Sequence, residues 1–194
     1  MKLLRVICAL AFFISVLCVF AMAKDQPKPA TKLSPLATEI DKEITSLENQ
    51  FVGVAEAMPA DKFAATPESL GVTGTAFKGV RTFAVQVRHV AADNFAIWAP
   101  LTGEPEPAGI NAPNGPPDMK GREEILKFLK DSFAYSHKAV AGLTAENELE
   151  LVQFRGRKVT RISLVILALS HANDHYGQMV EYLRMNGVIP PGSR

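Results

Sequence analysis

Apolar residues recur at helical spacing in four stretches of this chain. Between Ala37 and Met58, the residues Ile40, Ile44, Leu47, Phe51, Val54 and Met58 fall on one side of a 3.6-residue period, and Asp41, Lys42, Glu43 and Glu48 fall mostly elsewhere. This predicts an amphipathic first helix, ended by Pro59. A second helix is expected over 76–99. It is apolar over most of its circumference, with Val80, Phe83, Val87 and Trp98 on one side and Val85, Ala96 and Ile97 on another, so it belongs in the middle of a bundle. Gly121 to Ala141 reads as a third helix carrying Ile125, Phe128, Leu129, Phe133 and Tyr135, with Glu123 and Glu124 near its positive N-terminal end. The fourth runs from about Lys158 to Met185, with Asn186-Gly187 as its stop signal and Pro190-Pro191 beyond.

Between these stretches lie a connection at 60–75, a Pro/Gly-rich one at 100–120 and a polar one at 143–157. The middle connection holds six of the chain's thirteen prolines, and a structureless segment of that length inside a compact domain is usually functional or disordered. No strand of any length and no fixed-period repeat is expected. The pattern therefore predicts an all-α fold, an antiparallel four-helix bundle over 37–194 with long Pro/Gly-rich connections.

Polar residues interrupt two of the apolar helices. In the fourth helix, His171 and His175 stand four residues apart, about 40° around the axis, so both imidazoles reach one point. Ala172 occupies the position where an H-E-x-x-H protease would carry its Glu base, which argues against that chemistry. In the second helix His89 lies near the centre, with Thr82, Gln86 and Asp93 on the same side. Packing the two helices together would give three imidazoles with open positions, a set suited to zinc, nickel or another first-row divalent ion. Asp93 and Asp174 are placed to orient a ligating imidazole or, in one case, to act as base. Gln178 and Tyr182 could contact a substrate, and the segment around Pro105 to Pro117 could cover the open positions. Any one histidine could equally be a hydrogen-bonded core residue, and the joint arrangement is what favours a metal. His137 has no such company and reads as a helix C-terminal dipole partner.

Composition refines this picture at the N-terminus. Lys2 and Arg5 precede the apolar run Val6 to Phe20 and the A-x-A site Ala21-Met22-Ala23, so residues 1–23 read as a secretory signal peptide and 24–36 as a flexible tether. The expected localisation is bacterial export, periplasmic or secreted, with no stable membrane anchor after cleavage. Both cysteines, Cys8 and Cys18, lie in that leader, so the mature chain has neither disulfide nor thiolate chemistry of its own. Loss of Lys2 and Arg5 takes the formal net charge from +1 to −1, and no basic surface for nucleic acid emerges. A small-molecule substrate suits a bundle of this kind, as does a homodimer through a helix face.

VRHVAADNF around His89 and HANDHYGQMVEYLRMNGVIPP from His171 to Pro191 resemble the DinB-like family of helical bundles, from about Glu39 to the C-terminus. The resemblance implies a divalent metal held by one histidine of the second helix and an H-x-x-x-H pair of the fourth, here His89, His171 and His175. Gly177-Gln178 after the pair is also typical. Related bundles are similar to S-transferases or isomerases that use low-molecular-weight thiols, or to metal-dependent hydrolases, and many have no assigned chemistry. Such thiols are chiefly cytoplasmic, whereas this chain reads as exported. A non-catalytic, metal-stabilised binding or stress-related module is the alternative.

Overall fold

A computed structural model of the chain describes residues 33–71, 77–110 and 113–193. The expected signal peptide lies outside the described residues, as does the tether up to residue 32. Four α-helices form the domain: α1 (Pro35–Ala57), α2 (Phe83–Thr102), α3 (Arg122–Val140) and α4 (Arg161–Met185). Among the described residues no helix is long and apolar enough to cross a membrane.

The helix ends follow from local chemistry. Ser34 caps α1 by accepting from the Ala37 N–H at 3.0 Å, with Pro35 in the first turn, and so begins the helix two residues before the periodicity does. Leu33 and Leu36, expected in the tether, pack against the core. Thr82 caps α2 through the Val85 N–H, which starts that helix at Phe83 instead of near residue 76. The helix then runs through Pro100 to Gly103, whose φ of 71° ends it. A proline so close to the C-terminus removes one backbone donor and leaves the remaining turns intact.

The first-helix pattern is realised: Ile40, Ile44, Leu47, Phe51 and Val54 are all buried. So is α2, on every side from Gln86 to Ala99. Both α1 and α2 pack on α3 and on α4. Side-chain pairs give the directions. Asp41 and Glu48 meet His137 while Glu56 meets Lys130, so α1 and α3 run antiparallel. Gln86 meets Gln178 and Asp93 meets His171, so α2 and α4 do too. Asn94 on Ser132, Thr102 near Tyr135 and Arg88 on the Met119 carbonyl show α2 and α3 running in the same direction. A connection between parallel neighbours must return the length of a helix, about 30 Å for 20 residues, which is why the segment between α2 and α3 is long.

One expectation is corrected. The connection before α4 holds two strands, β1 (Leu151–Phe154) and β2 (Arg157–Thr160), paired antiparallel with Phe154 opposite Arg157. Arg155 and Gly156 form the two-residue turn, both with positive φ (47° and 79°), as a turn matching the twist of a hairpin requires. The strands are four residues each, too short for period-2 alternation to stand out from a polar loop.

Candidate metal centre

His89 projects from the centre of α2, and His171 and His175 project from one face of α4. The antiparallel packing of those helices brings the three rings together. His89 Nε2 lies 3.0 Å from His175 Nε2 and 3.1 Å from His171 Nε2. One nitrogen from each ring lies within 4.8 Å of the other two, a grouping that could hold a metal ion. Ligands side by side on one ion with bonds of about 2.1 Å stand about 3 Å apart, so the spacing fits a first-row divalent ion. The donor type fits as well, since three imidazoles suit zinc or nickel.

Protonation is consistent with this use. His89 and His175 are buried, at 5% and 7% exposure. Burial lowers the pKa of both, and for His175 the neighbouring His171 and His89 add to the effect, bringing it to about 4. Neutral rings with free lone pairs are what a metal requires. The Pro113 carbonyl accepts from His89 Nδ1–H, which leaves Nε2 as the unprotonated nitrogen facing the site. The Nδ1 atoms of His171 and His175 are buried without a hydrogen-bond partner among the described residues.

The Pro-rich segment is thus tied to α2 at the site. Arg88, next to His89, donates from Nη1 to the carbonyls of Pro116 (2.6 Å) and Met119 (2.8 Å), and Arg81 Nε donates to Asn114 Oδ1 at 2.8 Å. Gly115 has φ of +72°, and a Cβ there would come within 3.1 Å of Arg88 Cβ, so only glycine fits this approach without displacement. Ile110 packs with Ala92 and Phe95 from the same segment.

The remaining candidates separate. Asp93, 4% exposed, places Oδ2 3.2 Å from His171 Nε2 and 3.8 Å from His89 Nε2. It therefore faces the nitrogens that converge on the site, not the Nδ1 side where a carboxylate would orient a ring. Its other oxygen accepts from Arg155 Nη2 at 2.6 Å. Burial raises the Asp93 pKa, but the hydrogen bond and charge of His171, then the charges of Arg155 and His89, outweigh it and hold the carboxyl below its usual range. Asp174 is exposed and accepts from Gln178 Nε2 at 2.9 Å, while Gln178 Oε1 accepts from the buried Gln86 at 2.6 Å. This amide chain lies one turn from the histidines along both helices. Tyr182 is buried, with its hydroxyl donated to the Arg81 carbonyl at 2.5 Å. His137 stands apart, bridging Asp41 (2.6 Å) and Glu48 (3.2 Å) of α1.

Two participants carry weak sequence signals. Arg88 is a lone arginine in an apolar helix, and Arg155 opens a two-residue R-G turn. Beyond Asp93 along the same face of α2 lies a cleft of about 350 Å³, between Ala96 and Pro100 of α2, Glu104 and Glu106 after it, and Phe154 and Arg155 of the hairpin. Arg155 stands between this cleft and the histidines, its guanidinium 5.0 Å from the Phe154 ring.

Residues 43–179 match the model of the DinB superfamily. The chain belongs to that superfamily. A crystal structure of a DinB-like protein from Bacillus cereus ATCC 10987 superposes with a TM-score of 0.61 at 14% identity, covering 80% of this chain and 95% of that one. At that identity the likeness speaks for the fold. Among curated proteins none matches.

Proposed function

We propose that this DinB-superfamily protein binds a divalent ion, zinc or nickel, through His89, His171 and His175, and is a metal-dependent enzyme acting on a small molecule. The observation that carries this reading is the convergence of three buried or half-buried Nε2 atoms, two of them 3.0 and 3.1 Å from the third. When bound, the ion would supply Lewis-acid chemistry, activating water or a thiol as nucleophile. The chain's own residues do the rest. The Pro113 carbonyl fixes the His89 tautomer, burial keeps His89 and His175 neutral, and the cleft beside Arg155 offers a place for substrate. Transfer to or from a low-molecular-weight thiol and hydrolysis are the two reaction classes that fit an ion with open positions.

Export supports hydrolysis of the two, because thiol cofactors are chiefly cytoplasmic. The export reading rests on Lys2, Arg5, the apolar run from Val6 and Ala21-Met22-Ala23. A second reading has its own support. The three histidines come from two helices, so an ion between them would cross-link the bundle and could serve stability alone.

Metal content decides first. Protein purified without a tag should carry about one equivalent of ion, and His171→Ala should carry much less. Equal and negligible metal in both would sink the proposal. A screen of esters, amides and small electrophiles, with and without added thiol, then separates the readings. Turnover abolished by chelation supports the enzyme, and stabilisation without any turnover supports the binding module.

A further inference from the structure

Arg81 reaches the histidines from the side away from the cleft. It directly precedes Thr82, the cap of α2, whereas the cleft begins at Ala96, so the two stand at opposite ends of the site along that helix. Both ends of the residue are held. Its carbonyl accepts from the Tyr182 hydroxyl of α4 at 2.5 Å, and its Nε donates to Asn114 Oδ1 at 2.8 Å. Asn114 adjoins Pro113, whose carbonyl accepts from His89 Nδ1–H, so the guanidinium is tied to the same short segment as that ring. Its charge is felt there. Burial leads the lowering of the His89 and His175 pKa values, and the Arg81 charge adds to it in both.

Nothing matches that charge. Arg155 is paired with Asp93 at 2.6 Å and Arg88 spends Nη1 on two carbonyls, whereas among the described residues no carboxylate meets Arg81 and its Nη1 and Nη2 make no hydrogen bond. Neither atom is sealed off from solvent. An unmatched guanidinium beside three imidazoles and a divalent ion repels that ion, and an anionic group brought by a ligand relieves the repulsion. With Nε occupied, Nη1 and Nη2 remain as a planar pair of donors, the fork that suits a carboxylate. We propose that Arg81 anchors a carboxylate of the small molecule bound at this centre, whose reacting group then lies toward the ion. This rests on the metal-binding reading above and adds the substrate class.

The test is a titration of cobalt-loaded protein, read by thiolate-to-cobalt absorption, with mercaptoacetate, 3-mercaptopropionate and 4-mercaptobutyrate against neutral 2-mercaptoethanol. All four hold the ion through sulfur, and only the first three carry a carboxylate. Wild type should prefer at least one of those three by about tenfold or more, the worth of a charge-assisted hydrogen bond. Arg81→Gln should bring that preference to within about twofold, and Arg81→Lys should restore part of it. Cobalt affinity is the readout that a merely structural role would move. Arg81→Gln should bind cobalt as tightly as wild type or more tightly, since a repelling charge is gone, and a loss of about tenfold or more would make Arg81 structural and overturn the anchor. Wild type that holds cobalt without preferring any carboxylate probe, or a preference that survives Arg81→Gln, overturns it too while leaving the three-histidine site standing. Wild type that takes up no cobalt defeats the metal reading and this inference with it.

Discussion

His89 Nε2 and His175 Nε2 lie 3.0 Å apart, on two different helices and 86 residues apart in the sequence. An ion shared by them ties α2 to α4, and its binding free energy adds to the folding free energy. At free ion 100 times Kd this amounts to about 2.7 kcal/mol, or a midpoint shift of about 5–10 °C for a domain of this size. Zinc added to metal-stripped protein should raise the thermal midpoint by that much, and His171→Ala should not respond. An unmoved wild-type midpoint in calorimetry would count against an ion at this place.

Gly115→Ala should disturb the site from outside it. Its Cβ would meet Arg88 Cβ at 3.1 Å and the Arg88 carbonyl oxygen at 3.2 Å, in a backbone conformation that alanine resists. We expect a loss of about 1–3 kcal/mol in urea unfolding. Zinc affinity should weaken as well, because the Pro113 carbonyl that holds His89 moves with the segment. Unchanged stability would show that the segment gives way freely.

His137 makes stability depend on pH. Burial lowers its pKa, but the hydrogen bonds and charges of Asp41 and Glu48 outweigh this and raise it above 6.5 in the folded protein. The fold therefore favours the protonated ring. That contribution is fully present below about pH 6.5 and is lost as pH rises through the folded pKa. For a partly exposed cluster it should be about 1 kcal/mol or less. His137→Gln should flatten the fall in unfolding free energy above pH 6.5, and a wild-type curve already flat there would contradict the assignment.

Phe51 is the point at which α1 is most easily undermined. It is fully buried, with ring centroids 6.3 Å from Phe133 of α3 and 6.5 Å from Tyr176 of α4. Phe51→Ala should cost about 3–5 kcal/mol by chemical denaturation, the span for removing a buried aromatic ring. A loss under about 1 kcal/mol would mean that the neighbours collapse into the space.

Much of the fold was legible because its signals are local. Helical periodicity and the stops Pro59 and Gly187 act over a few residues, and the i, i+4 spacing of His171 and His175 is a property of one helix. The hairpin escaped for the complementary reason: its stability comes from pairing and from docking beside α2, and four-residue strands carry too little pattern of their own.

By itself the sequence determined four helices, a buried second one, and three histidines able to meet if α2 and α4 packed side by side. Tertiary structure decided what surrounds them. It set the directions of the helices, which follow from the path of the long connection. It placed the Pro113 carbonyl on His89, because Gly115 lets that segment close on Arg88. It also turned Asp93 toward the converging nitrogens, with Arg155 behind it. These relations join residues 24 to 82 positions apart, and they exist only once packing has fixed which surfaces touch.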